Sequence, residues 1–126
     1  MRLVLILALS LALAPAAPRA EPPATAIEAV IADQIGDFQR DDLAGAFAHA
    51  APSIQEKFGG PERFGRMVRQ GYPMIWRPSR WETRELTQTR RGWVQTMLFV
   101  DAEGRHFEAD YLMERRNGTW RIAGVR

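Results

Sequence analysis

An α+β fold is predicted, with N-terminal helices laid on one face of an antiparallel sheet of about four strands. Three observations predict it. Apolar residues recur at helical spacing from Ile27 to Val68. From Trp81 onward the pattern changes to alternation. Asn117-Gly118 then sits between two alternating runs, a strong hairpin signal.

Ahead of the fold lies a different kind of segment. Met1 and Arg2 form a short positive start, and Leu3 to Ala14 is apolar apart from Ser10. Pro15 ends the run, and Ala16, Ala17, Pro18, Arg19 and Ala20 follow. That layout predicts a secretory signal peptide over residues 1–20, cleaved between Ala16 and Ala20, and a periplasmic or secreted protein. The run is shorter than the roughly 20 apolar residues of a spanning helix, so no stable membrane anchor is expected.

Residues 21–24, with Pro22-Pro23, read as a linker to a single domain over residues 25–126. Thr25 and Glu28 have capping-box spacing, and Ile27, Val30, Ile31, Ile35 and Phe38 make one helix face. Asp41-Asp42 breaks that helix and caps a second, which carries Leu43, Ala46, Phe47 and Ala50. Pro52-Ser53 opens a further turn with Ile54 and Phe58, and Gly59-Gly60 closes it. Pro61 starts a third helix with Phe64, Met67 and Val68 on one side, and Gly71 and Pro73 stop it.

Four strands follow, over Trp81–Arg90, Trp93–Val100, Arg105–Arg115 and Trp120–Val125. The turns fix the register, setting Met113 opposite Ile122, Phe99 opposite Phe107 and Gln95 opposite Tyr111. One face then carries Trp93, Gln95, Met97, Phe99, Phe107, Ala109, Tyr111, Met113, Trp120 and Ile122, and should meet the helices. Gln95 and Tyr111 are its polar members. Either they satisfy each other in a core, or they point together into a cavity and orient a ligand. Trp93, Tyr72 and Trp76 would line the entrance for a small apolar molecule.

The other face carries Val94, Leu98, Val100, Leu112, Ala123 and Val125 within a margin of His106, Glu108, Glu114 and Arg121. An apolar centre with a polar rim predicts a homodimer through this face, or a partner docked on it. Leu98→Glu should then break the assembly and leave the monomer folded.

The chemistry-bearing residues do not assemble a motif. His106, Glu108 and Asp110 share a strand face, but the outer two lie about 13 Å apart at strand rise, too far to hold one ion. His49 sits where a helix dipole favours it. Ser53 and Lys57 are four apart, not the three of a Ser-x-x-Lys pair. The absence of Cys removes thiol chemistry and Cys-bound zinc. No metal and no cofactor is expected.

Charge excludes one more class. Taking Arg2 and Arg19 from the 17 basic residues leaves 15 against 15 acids, so nothing overall calls for nucleic acid or an anionic membrane. The distribution is uneven, however. Residues 21–60 hold seven acids and two bases, and residues 61–126 hold eight acids and thirteen bases. Solvated surface explains that, or an anionic partner near the C-terminal half.

Several stretches carry a family resemblance. They are Phe38-Gln39-Arg40-Asp41-Asp42, Ala50-Ala51-Pro52-Ser53-Ile54-Gln55, Phe58-Gly59-Gly60-Pro61, Gly71-Tyr72-Pro73-Met74-Ile75-Trp76-Arg77-Pro78 and Gly118-Thr119-Trp120-Arg121-Ile122-Ala123-Gly124-Val125. With them the chain resembles a family of small exported bacterial proteins known as domain of unknown function 4864. More distantly it is similar to the nuclear transport factor 2-like, cystatin-like superfamily. The resemblance implies a curved sheet and helices forming a cone with a pocket, and often pairing through the sheet. It implies no activity, because that superfamily includes isomerases, dehydratases, immunity proteins and plain binding modules. The acid–base sets of its enzymes find no match here. The first reading is therefore a non-catalytic binding or accessory module with an apolar pocket. The second is a small isomerase, dehydratase or hydrolase using His49 and Tyr111.

Overall fold

Among the described residues, nine elements follow one another in two blocks, as the change of period predicts. In a computed structural model that describes residues 12–16 and 23–126, five helices precede four strands. The helices are α1 (Pro23–Gln39), α2 (Leu43–Ala48), α3 (Pro52–Phe58), α4 (Pro61–Gly71) and α5 (Pro73–Trp76). The strands are β1 (Arg80–Thr89), β2 (Gly92–Val100), β3 (His106–Arg116) and β4 (Thr119–Val125). They form one antiparallel sheet in the order β1-β2-β3-β4, curled around the helices. Most of the export-signal reading falls on residues 1–11 and 17–20, outside the described residues. No helix among the described residues is long and apolar enough to cross a membrane.

Two helix boundaries differ from expectation. α1 begins at Pro23, so the expected linker gives way two residues early and Thr25 lies within the first turn. Proline suits that first position, because its missing N–H would be unsatisfied there in any case. The stop at Gly71 is followed by a one-turn helix, α5, which Pro73 opens in the same way. The second cap forms as expected: the Asp42 carboxylate accepts from the Gly45 N–H at 3.0 Å. Asn117 (φ 50°) and Gly118 (φ 78°) make the left-handed pair that a type I′ hairpin turn requires.

The core lies between α1 and the sheet. Ile27, Ile31, Ile35 and Phe38 of α1 are at most 1% exposed, and they meet Met97, Phe99, Tyr111, Met113 and Ile122. Burying such side chains contributes roughly 1.5–3 kcal/mol each, so this stripe holds the two layers together. The edge of β4 is covered by the chain between α2 and α3. There Ile122 donates its N–H to the His49 carbonyl at 2.9 Å, and the Ala51 N–H donates to Ile122 at 2.8 Å.

Two bulges shape the sheet. On β1, Arg84 and Glu85 together oppose one residue of β2. On β4, Ala123 is the extra residue, because Leu112 pairs with Gly124 while Met113 pairs with Ile122. A bulge bends its strand and shifts the alternation by one. Val125 therefore falls opposite Tyr111 on the helix side. Simple alternation places Val125 on the outer face; the bulge at Ala123 corrects that.

Candidate functional site

A cavity of about 390 Å³ lies where the helices meet β3 and β4. α1 supplies Gln34 and Phe38 to its wall, and the α2–α3 region supplies Ala50, Ile54, Lys57 and Phe58. α4 adds Phe64, Met67 and Val68, and the sheet closes it with Tyr111, Ile122, Gly124 and Val125. Tyr72 and Ile75 complete it. Two of its polar groups are already engaged. The Gln34 amide nitrogen donates to the Ala46 carbonyl at 3.1 Å. The Tyr72 hydroxyl donates to the Val125 carbonyl at 3.4 Å, a long contact.

Tyr111 differs from both. It is fully buried, and among the described residues its hydroxyl is the one buried side-chain polar atom without a partner. Burial pushes its pKa far above the ordinary tyrosine value, because a phenolate would stand in an apolar wall. The hydroxyl is therefore a neutral donor at all ordinary pH values. A buried polar group left unpaired costs about 1–3 kcal/mol, and a partner inside the cavity would recover that.

Gln95 does not share this site. It pairs with Tyr111 in register, as expected, but its side chain turns to β1. Its amide nitrogen lies 3.0 Å from the Arg84 carbonyl, 3.1 Å from Glu85 and 3.1 Å from Thr96. Arg84 and Glu85 are the bulge residues, whose carbonyls the ladder leaves without regular partners. Gln95 fills that gap, so the expected joint cavity of Gln95 and Tyr111 is not formed. The two groups do not satisfy each other either.

The three expected entrance residues separate. Tyr72 lines the cavity. Trp76 packs on Phe38 with ring centroids 5.5 Å apart, and the Arg77 guanidinium lies 4.7 Å above its ring. Arg77 also donates to the Phe38 carbonyl and, at 2.6 Å, to the Asp41 carboxylate. The Tyr72–Arg77 stretch is thus a clamp joining the end of α1 to α4 and β4. Trp93 lies at the other end of the sheet, in a groove with Trp120. Sequence reasoning missed Gln34, Ile54 and Met67, which carry no signal beyond ordinary helical periodicity.

His49 caps α2, and its Nε2 lies 3.4 Å from the buried Asp37 carboxylate, which also binds Arg40 at 2.6 Å. His49 is not in the cavity wall, so an acid–base pair of His49 with Tyr111 is not assembled there. On the outer sheet face, Leu98 is 8% and Val100 6% exposed, while Val94 and Leu112 are half-buried. Leu98 stands between Glu82 and Glu108, its cross-strand neighbours. Long polar side chains commonly cover apolar neighbours with their stems. Leu98→Glu would therefore disturb the monomer itself and is no clean probe of assembly.

A family model described as "Domain of unknown function (DUF4864)" matches residues 20–126. A solved NTF-2-like protein of unknown function from Shewanella oneidensis MR-1 is similar at 13% identity, with a TM-score of 0.56 over 82% of this chain and 97% of that one. Aln2 from a Streptomyces species is similar at 15% identity, with a TM-score of 0.50 over 85% of this chain and 90% of that one. At such identities the likeness shows the NTF-2-like fold alone. No curated protein matches the chain.

Proposed function

The chain belongs to the DUF4864 family, whose description assigns no activity, so its function is read from the site: we propose a non-catalytic, exported domain that binds a small, mainly apolar molecule. The observation that carries this reading is an apolar cavity of about 390 Å³ with Tyr111 in its wall, a fully buried residue whose hydroxyl has no partner among the described residues. That volume falls within the range of small-molecule sites. The ligand has an apolar body and an oxygen that accepts from Tyr111. A negative group is tolerated near the exposed Lys57, whose ammonium lies 5.6 Å from the centroid of the Phe58 ring. Medium-chain alkanoic acids and the matching alcohols meet that description.

Calorimetric titration with those acids and alcohols tests the proposal. Wild type should bind. Tyr111→Phe should weaken binding about tenfold, the worth of one hydrogen bond in a dry site. Ile54→Trp fills the cavity and should abolish binding while the protein stays folded. If both variants bind as wild type does, the ligand sits elsewhere and the reading fails. If no acid or alcohol binds, and native mass spectrometry of the protein from its own cells shows no bound molecule, the reading also fails.

A further inference from the structure

The end of the sheet remote from the cavity gathers positive charge. β1 and β2 turn at Arg90-Arg91, and β3 and β4 turn just after Arg115-Arg116. The pairing of Trp93 with Met113 brings both tips to the same end. Together they wall an open groove of about 1020 Å³, with Trp93 and Trp120 half-buried in it and Pro23 and Ala26 of α1 on one side. All four arginines are exposed. Among the described residues, Glu114 is the one acid on the wall, and Arg116 holds it at 2.8 Å. Among the described residues, Arg90, Arg91 and Arg115 have no acidic partner.

Near-zero net charge does not cancel this cluster. At physiological salt, charges more than about 8 Å away are largely screened, so a surface meeting the tips feels mainly those arginines. The groove is too open to enclose a small anion, which directs attention to an extended one. Arginine forks match phosphodiester oxygens, and tryptophan settles at the boundary between headgroups and acyl chains.

The chain path adds an independent constraint. α1 starts on the groove wall, at Pro23, and the apolar run Leu3–Ala14 ends nine residues earlier. Nine residues span at most about 30 Å. If that run is held in a membrane during export, Pro23 on the groove wall lies within that reach of the same surface.

We propose that the two hairpin tips form a peripheral contact for anionic phospholipid, with Arg90, Arg91, Arg115 and Arg116 on the phosphates and Trp93 and Trp120 at the headgroup boundary. This site is independent of the apolar cavity.

Vesicle co-sedimentation tests it, with protein of residues 20–126, which hold every described element and the whole described core. Vesicles of phosphatidylcholine are compared with vesicles that also contain phosphatidylglycerol. Binding should require phosphatidylglycerol and fall as salt rises. Each arginine near such a surface contributes about fivefold in partition, so the quadruple variant R90Q/R91Q/R115Q/R116Q should lose more than about a hundredfold. R90Q/R91Q alone should lose an intermediate amount. R63Q/R66Q/R69Q, which removes exposed charge from α4, should change binding by only a few-fold, and Tyr111→Phe should leave it unaltered. Circular dichroism checks that the variants keep the fold. Equal loss in the α4 and hairpin variants would reduce the effect to bulk charge and overturn the proposal. No preference for phosphatidylglycerol would do the same. So would tight binding of single-stranded DNA, dependent on the four arginines, with no binding to vesicles.

Discussion

The two halves of the concave sheet face are built alike and finished differently. Each contains a bulge, and each bulge faces one buried polar side chain. In the β1–β2 half, Gln95 reaches the Arg84 and Glu85 carbonyls and closes the gap. In the β3–β4 half, the bulge at Ala123 turns Val125 and Gly124 to the cavity, and Tyr111 beside them keeps an unpartnered hydroxyl. One half is filled from within the chain. The other leaves room and a hydrogen-bond donor. A fold has little to gain from a buried donor with nothing to bind, which is why the proposed ligand site is placed in the second half.

The comparison can be broken most strongly at Gln95. Replacing it with Leu keeps the volume but strands the bulge carbonyls in a buried place, at about 1–3 kcal/mol each before relaxation. A loss of about 3 kcal/mol is expected, read as a lower urea midpoint with an unchanged slope. Amide exchange should quicken first in β1, the edge strand that Gln95 holds. A loss under about 0.5 kcal/mol would mean that the bulge does not need the amide, and the contrast between the halves would lose its first member.

A smaller effect tests the register shift in the other half. With Val125 on the helix side, Val125→Asp sets a charge at the cavity and should cost about 1–2 kcal/mol. Leu112→Asp, on the outer face next to Gly124, should cost less, within about 1 kcal/mol. If the two costs are reversed, Val125 faces outward and the Ala123 bulge is not present in solution.

These bulges also mark the limit of what the sequence discloses. The block of helices, the four strands, the Asn117-Gly118 turn and the pairing of Gln95 with Tyr111 all follow from periodicity and turn chemistry. Neither Arg84-Glu85 nor Ala123 differs in residue type from an ordinary strand position, so alternation runs through them unbroken. The error it produces is local: Val125 goes to the wrong face, and Gln95 loses its expected place in the cavity. The helical share of the wall was hidden for another reason. Ile54 and Met67 look like any apolar helix positions, and only packing decides which of them border empty space. The arginine groove was half legible: charge counted by halves points to the basic C-terminal part, but only the pairing of the strands brings the two hairpin tips together at one end.

The smallest effect on stability is expected at Tyr111, and it is the most telling for the comparison. Its hydroxyl makes no hydrogen bond within the protein, so Tyr111→Phe removes a desolvated group and no bond. Near neutral pH the variant should be as stable as wild type or about 1 kcal/mol more stable, the reverse of the Gln95 result. The two proteins should part only in alkali. Burial holds the folded-state pKa of Tyr111 far above its ordinary value of 10.0, so the unfolded chain releases that proton first. The contribution of Tyr111 to stability is complete below about pH 10 and declines as pH rises beyond it. Subtracting the variant's stability from that of wild type across this range isolates the residue from the other titrating groups. A wild type that outlasts the variant by more than about 1 kcal/mol at pH 7 would show that the hydroxyl has a strong partner within the protein, and the two halves of the face would then be equally closed.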